Sequence, residues 1–296
     1  MIESPRLEDA LRSLCGEAKV TRRVPVAGGC IANGQRLDFS DGSRLFLKQS
    51  ATLPPKMFAA EAHGLAALSN GDGPRVPQPL AHSPVDGGRG GASGFLVTEW
   101  IDSGRPGSSY SERFGRELAA LHETNTAERF GFSEDNYIGS TPQPNRWTSS
   151  WSEFFREQRI GAQVRLARDH GRIGVPLALR IESILARLDA LLPAPRCPAL
   201  LHGDLWGGNA MCDSAGAPVI FDPAVYYGHP EADLAMTELF GGFGPRFYRA
   251  YDEVSPLEPG YAERRDLYNL YHMLNHVNLF GSGYLGSVTS IVRSYE

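Results

Sequence analysis

Cysteine is scarce in this chain of 296 residues: there are four, Cys15, Cys30, Cys197 and Cys212. None belongs to a CxxC pair or lies beside a histidine cluster. That argues against a zinc site and a disulfide framework, and makes a reducing cytoplasm the expected setting. Basic charge is short as well, with 29 Lys and Arg against 34 Asp and Glu, a net charge of −5. Nucleic acid normally demands a basic face, so no such partner is expected. A nucleotide could still be gripped locally by backbone amides, a lysine and metal ions. No run of 18 apolar residues occurs, so no membrane span is expected. The opening Met1-Ile2-Glu3-Ser4-Pro5 lacks the basic and apolar regions of a signal peptide. Internal repeats are missing too.

What is present is an ordinary globular mixture, 42% hydrophobic and 21% charged, long enough for two lobes around a cleft. The first hundred residues mix strand and helix. Gln35–Phe39 and Arg44–Lys48 read as strands flanking the turn Ser40-Asp41-Gly42-Ser43. Pro54-Pro55 opens a helix to about Leu68, and Gly94–Ile101 reads as a further strand. The polar stretch Asp102-Ser103-Gly104-Arg105-Pro106-Gly107 is the expected linker, dividing a lobe at 1–101 from one at 102–296. Beyond it helical stripes dominate. They are Phe114/Leu118/Leu121, Trp151/Phe154/Phe155/Gln158/Ala162, Leu177/Ile181/Ile184/Leu188/Leu191, and Leu267/Leu270/Tyr271/Leu274/Val277. Short apolar runs, Ala199–Leu201 and Val219–Phe221, lie between the last two. The expected class is α+β: a small β-rich lobe, then a larger, mainly helical lobe with short strands at its front edge.

The chemistry concentrates in His202-Gly203-Asp204-Leu205-Trp206-Gly207-Gly208-Asn209 and in Phe221-Asp222-Pro223. Phosphoryl transfer needs a carboxylate beside the attacking hydroxyl and oxygen ligands for Mg²⁺ between the phosphates. Asp204 is placed to take the hydroxyl proton, while Asn209 and the strand-end Asp222 offer metal oxygens. A tight turn alone would also use Asp and Asn, but the strand-borne Asp222 favours the functional reading. In the first lobe Phe58, Glu61, Leu65 and Leu68 share one helix face. An acid in an apolar stripe needs a cation, and Lys48, ending the preceding strand, is the candidate to grip ATP phosphates with Glu61 holding it. Gly28, Gly29 and Cys30 could let backbone amides approach those phosphates, although two glycines also make an ordinary turn. Glu99 and Ile101, ahead of the linker, could offer backbone groups to adenine.

At these residues the chain resembles the fructosamine kinase (ketosamine-3-kinase) family, within the aminoglycoside-phosphotransferase and protein-kinase-like superfamily. HGDLWGGN at 202–209 is similar to that family's HGDLWSGN, with Gly207 where Ser is common. Phe221 to His229 resembles its FDPAxYYG segment. Gly139-Ser140-Thr141-Pro142-Gln143-Pro144-Asn145, Glu231–Met236 and Leu270–His276 match further. The resemblance implies a two-lobed protein-kinase-like fold and ATP- and Mg²⁺-dependent phosphorylation of the 3-hydroxyl of a small-molecule or protein-bound ketosamine. The unstable product then releases the amine, a deglycation. It implies Asp204 as base, Asn209 and Asp222 as metal ligands, Lys48 and Glu61 at the phosphates, and Asp233 as a buried brace of the catalytic loop. Trp206 is a candidate to stack on the sugar, with packing as its alternative. His272 and His276, at i and i+4, are candidates for sugar hydroxyls or plain packing; zinc is disfavoured without a third ligand. A cysteine at the position of Cys30 implies redox control, including a disulfide-linked homodimer, against the alternative of a small residue where space is short.

Overall fold

The computed structural model describes residues 1–4, 6–26, 33–54, 56–83 and 94–296. Gly28, Gly29 and Cys30 lie outside them, and so do the expectations attached to them. The first lobe runs β1 (Ile2–Glu3), α1 (Leu7–Cys15), β2 (Val20–Val26), β3 (Asn33–Phe39), β4 (Arg44–Ser50), α2 (Met57–Leu68), β5 (Pro79–His82) and β6 (Gly94–Glu99). Its strands form one sheet in the order β1-β5-β6-β4-β3-β2, with only β1 and β5 parallel. The turn at Gly42 takes a φ of +85°, which glycine adopts without strain. Lys48 sits in the interior of β4, paired with Gly34 on one side and Leu96 on the other. α1 closes one face over Leu37, Leu47, Ala81 and Val97.

The second lobe carries α3 (Tyr110–Thr124), β7 (Asn136–Ile138), β8 (Thr141–Gln143), α4 (Trp151–Phe154), α5 (Gly161–Asp169), α6 (Val175–Leu185) and α7 (Leu188–Leu191). β9 (Ala199–Leu201), β10 (Ala210–Cys212), β11 (Pro218–Ile220), β12 (Tyr226–Gly228), α8 (Pro230–Leu239), α9 (Pro245–Asp252), α10 (Tyr261–Phe280) and α11 (Leu285–Ser294) follow. Six residues, Phe155–Ile160, join α4 to α5 as a π-helical segment. The short strands pair as β7-β8, β9-β12 and β10-β11, making the front edge that holds the segments 202–209 and 221–223.

α2 is apolar almost all round, and such a helix is buried on more than one side. Phe58, Leu65 and Leu68 join Phe114, Leu118, Ile220 and Val225 of the second lobe in one cluster. Gly64 brings α2 so close to the Asp222 segment that a Cβ there would stand 3.3 Å from Val225 and 3.4 Å from Pro223. The stretch expected to be the linker is pinned as well. Gly104 N–H donates to Cys212 O at 2.8 Å, and Ser214 N–H donates to Asp102 O at 2.8 Å. A Cβ at Gly104 would fall 2.2 Å from Asp213 O, so only glycine permits this approach.

Candidate active site

The turn that carries Asp204 is built between β9 and β10. Asp233, buried on α8, accepts the backbone N–H of His202 at 2.7 Å and of Gly203 at 2.8 Å. Burial pushes its carboxyl up, but hydrogen bonding and charge from His122 outweigh that and hold it below the ordinary value. A carboxylate receiving two amides in the interior fixes the turn before it enters the cleft. Gly203 has φ +81°, and a Cβ on it would stand 2.0 Å from Ala224 O. The turn therefore rests directly on the Asp222–Val225 segment. His202 locks the same junction: its Nε2–H donates to Phe221 O at 2.9 Å, and its own carbonyl accepts Ala224 N–H at 2.8 Å.

A cavity of about 450 Å³ opens between the lobes, within the usual range for small-ligand sites. Lys48, Glu61, Asp204, Trp206, Asn209, Asp222 and His276 all line it. Lys48 Nζ donates to Glu61 Oε1 at 2.7 Å and to Asp222 Oδ1 at 2.5 Å. Burial pulls the Lys48 ammonium down, yet the carboxylates of Asp222 and Glu61 prevail and hold its pKa above the ordinary value. Asp222 is the only non-glycine residue of positive φ (58°) among the described residues. Backbone of this kind costs of order 1–3 kcal/mol and clusters at functional sites.

Asp204 is half-buried, and its carboxyl is pushed up to about 7. Burial is the main cause and the nearby Asp222 charge adds to it, against a hydrogen bond from Asn209. Asn209 donates its Nδ2 to Asp204 O at 2.9 Å and to Asp204 Oδ2 at 3.3 Å. Its amide oxygen is thereby left for another ligand. Asn209 Oδ1 and the half-exposed Asp222 carboxylate are hard oxygen donors among the residues lining the cavity, which suits a magnesium ion completed by phosphate and water.

An aromatic wall also lines the cavity. Trp206 lies over Gly208, where a Cβ would meet its ring at 2.3 Å. Its ring meets Phe240 edge-on at 6.1 Å, and Phe240 packs 5.1 Å from His276. Phe280 and Tyr284 extend this wall beside His276. The His276 ring donates Nδ1–H to His272 O at 2.8 Å. Burial lowers its pKa, so the neutral ring keeps Nε2 as an acceptor.

Three of the expected residues do not line this cavity. His272 is buried, does not line the cavity, and its pKa is lowered to about 3 by burial and by His276, so it stays neutral. Its i+4 relation to His276 puts both on one side of α10, but the side chain one turn earlier remains inside the helical core. Neither Glu99 nor Ile101 lines the cavity. Glu99 has its N–H committed to Gln78 O at 3.0 Å and its carboxylate to Arg75 at 2.8 Å.

The residues that sequence reasoning missed come mainly from the Thr141–Asn145 motif. Gln143 donates Nε2–H to Asn136 Oδ1 at 2.7 Å and to Ala224 O at 3.0 Å. Asn136 donates to Val225 O at 2.7 Å, and Asn145 donates to Asn136 Oδ1 at 2.9 Å. Arg159, 0% exposed, clamps this knot through Pro144 O and Asn145 Oδ1, each at 2.7 Å. Its guanidinium lies 3.8 Å over the Tyr226 ring. The motif was visible in the sequence, but nothing there shows that it is an internal brace for the Asp222 segment. Phe240, Phe280 and Tyr284 had no local signal, whereas Asn275 lies in the matching Leu270–His276 segment but was given no role there.

The fructosamine kinase family model matches residues 4–295. A probable ketoamine kinase of Synechocystis is 46% identical over 267 residues, covering 90% of this chain and 87% of its own. The chloroplastic protein-ribulosamine 3-kinase of Arabidopsis thaliana is 43% identical over 281 residues, covering 94% and 83% respectively. A candidate fructosamine-3-kinase from Thermobifida fusca, solved crystallographically, superposes with a TM-score of 0.84 at 36% identity, covering 99% of both chains. Its fold is the two-lobed one found here. On this match across nearly its whole length, and on the geometry above, the chain belongs to the fructosamine kinase family.

Proposed function

We propose that the protein phosphorylates the 3-hydroxyl of ketosamines with ATP and Mg²⁺, and that breakdown of the 3-phosphate then frees the amine. The observation that carries this reading is one cavity holding a phosphate-side lysine, a high-pKa carboxylate and an aromatic wall. Asp204 takes the proton of the attacking hydroxyl, and its pKa near neutrality suits a base at cytoplasmic pH. Lys48 exchanges its contact with Asp222 for nucleotide phosphate while Glu61 keeps it in place. Asn209 Oδ1 and Asp222 would hold the magnesium ion, which when bound neutralises charge developing between the phosphates. Trp206 offers its face to the apolar side of the sugar, and His276 Nε2 accepts from a hydroxyl. The acceptor is a ketosamine on a small molecule or on a protein, and a cytoplasmic setting accords with the scarcity of cysteine.

The test supplies ATP with a fructosamine, a ribulosamine, choline, homoserine and an aminoglycoside. The expected result is ATP consumption with the two ketosamines and a phosphorus resonance coupled to the carbon-3 proton. Turnover confined to choline, homoserine or the aminoglycoside would overturn the reading.

A further inference from the structure

Asn275 on α10 lines the cavity yet is only 3% exposed, and its side chain is held by a relay that fixes which end faces the ligand. The relay begins at a backbone carbonyl, which can only accept. Asn278 meets Gln163 O at 3.0 Å, so it must present Nδ2–H there. The same Nδ2 meets the Gln163 side chain at 2.7 Å, which must therefore present Oε1. Gln163 is left to present Nε2 to Asn275 at 3.4 Å, a long contact that still places Asn275 Oδ1 on the protein side. Nδ2 of Asn275 has no hydrogen-bond partner among the described residues and is the end left for the cavity. A buried amide with one end committed and its donor end open is a ready-made reader of a ligand oxygen.

The neighbours of Asn275 decide which ligand that is. Met236, Phe240, His276 and Leu279 line the same cavity from the second lobe, whereas Lys48 and Glu61 line it from the first. The next residue, His276, offers an acceptor. A donor beside an acceptor matches adjacent oxygens of a polyol. Resting on the ketosamine reading above, the geometry points to Asn275 as a specificity-determining residue whose Nδ2–H donates to the oxygen on carbon 2 or carbon 4, beside the 3-hydroxyl. Loss of that oxygen from the substrate leaves a buried donor unpaired, which a site of this kind penalises strongly.

The test compares wild type, Asn275→Ala and Asn275→Asp on a fructosamine made from glucose and glycine, and on its 4-deoxy and 2-deoxo analogues. The aspartate variant fills the same volume and still accepts from Gln163 but turns an acceptor to the cavity, so it serves if the alanine variant folds poorly. Both variants should lose about 10–100-fold in kcat/KM for the fructosamine, with the KM for ATP within about twofold of wild type. One of the two analogues should lose a similar factor with wild type and no further factor with Asn275→Ala. The inference is overturned if the folded variants keep wild-type kcat/KM. It is also overturned if ATP and fructosamine suffer equally, or if the losses from residue and from oxygen multiply for both analogues. A wild type that ignores every ketosamine would instead refute the substrate reading, which separates the two failures.

Discussion

Asp204 works against its own environment. Its carboxyl is raised from the ordinary value to about 7, chiefly by burial. The folded state therefore binds its proton more tightly than the unfolded chain does. Ionisation of Asp204 then costs stability progressively between about pH 4 and 7 and by a constant amount above that. Asn at this position carries no such penalty. Asp204→Asn should lower kcat by about 10²–10⁴ while raising Tm at pH 8, a gain of about 2–4 kcal/mol at most that vanishes below pH 4. Melting curves at both pH values together with steady-state rates check this, and a Tm gain that persists at pH 3.5 would contradict the electrostatic account. For wild type, kcat/KM should rise through pH 7 as the base ionises. Lys48 has the opposite character, since two carboxylates hold its charge in place. Lys48→Met should raise the KM for ATP and lower kcat, with Glu61→Gln doing the same more mildly; ATP titrations of both variants measure it. The Lys48–Glu61 pair was legible in the sequence, because helical spacing set an acid inside an apolar stripe just after a strand carrying a lysine, although that strand runs two residues past Lys48 to Ser50. The Lys48–Asp222 contact was not, since 174 residues separate the partners and no local period links them.

At the scale of elements, the π-helical segment Phe155–Ile160 explains what the periodicity misjudged. A regular helix would have carried the stripe from Gln158 to Ala162. The wider turn adds a residue and rotates the face, so Arg159 and Ile160 are fully buried while Ala162 is half-exposed. An arginine in the core contradicts residue preference, and the oxygens of Pro144, Asn145 and Gln158 with the Tyr226 and Phe154 rings make it tolerable. Lysine keeps the charge but has neither the planar fork nor the stacking face. In Arg159→Lys, Pro144 O and Asn145 Oδ1 are not both held, Gln143 slackens, and the Ala224 carbonyl beside Asp222 loses its tether. The expected outcome is a kcat lowered about tenfold, of the order of one lost hydrogen bond to a charged group, with a raised Mg²⁺ requirement and an unchanged fructosamine KM. A magnesium titration of the rate reads this directly, and a lower Tm with wild-type Mg²⁺ dependence would reduce Arg159 to packing.

For the whole molecule, the two-lobed plan followed from composition and period, and residues 102–107, the expected linker, belong to no helix or strand. What the sequence could not convey is how little the lobes are separated energetically. Phe58, Leu65, Leu68 and Val76 come from before the linker but share a cluster with Phe114, Leu121, Ile220 and Val225 from after it. The backbone joins the lobes as well: Arg75 N–H donates to Pro218 O and Ile220 N–H to Arg75 O, each at 2.9 Å. Cutting between residues 101 and 102 would uncover this cluster and strand those polar groups, so neither half has a complete core. The full chain should therefore melt in one transition, with far-UV circular dichroism and tryptophan fluorescence coincident. Leu65→Ala, a deletion at a position 2% exposed, should cost about 2–5 kcal/mol and shift both signals together. The fragment 102–296 should lack fixed tertiary packing and show little near-ultraviolet dichroism. Two separate transitions in the full chain, or a fragment with dispersed amide resonances, would mean that each lobe folds on its own and that the cluster is only a contact between finished domains.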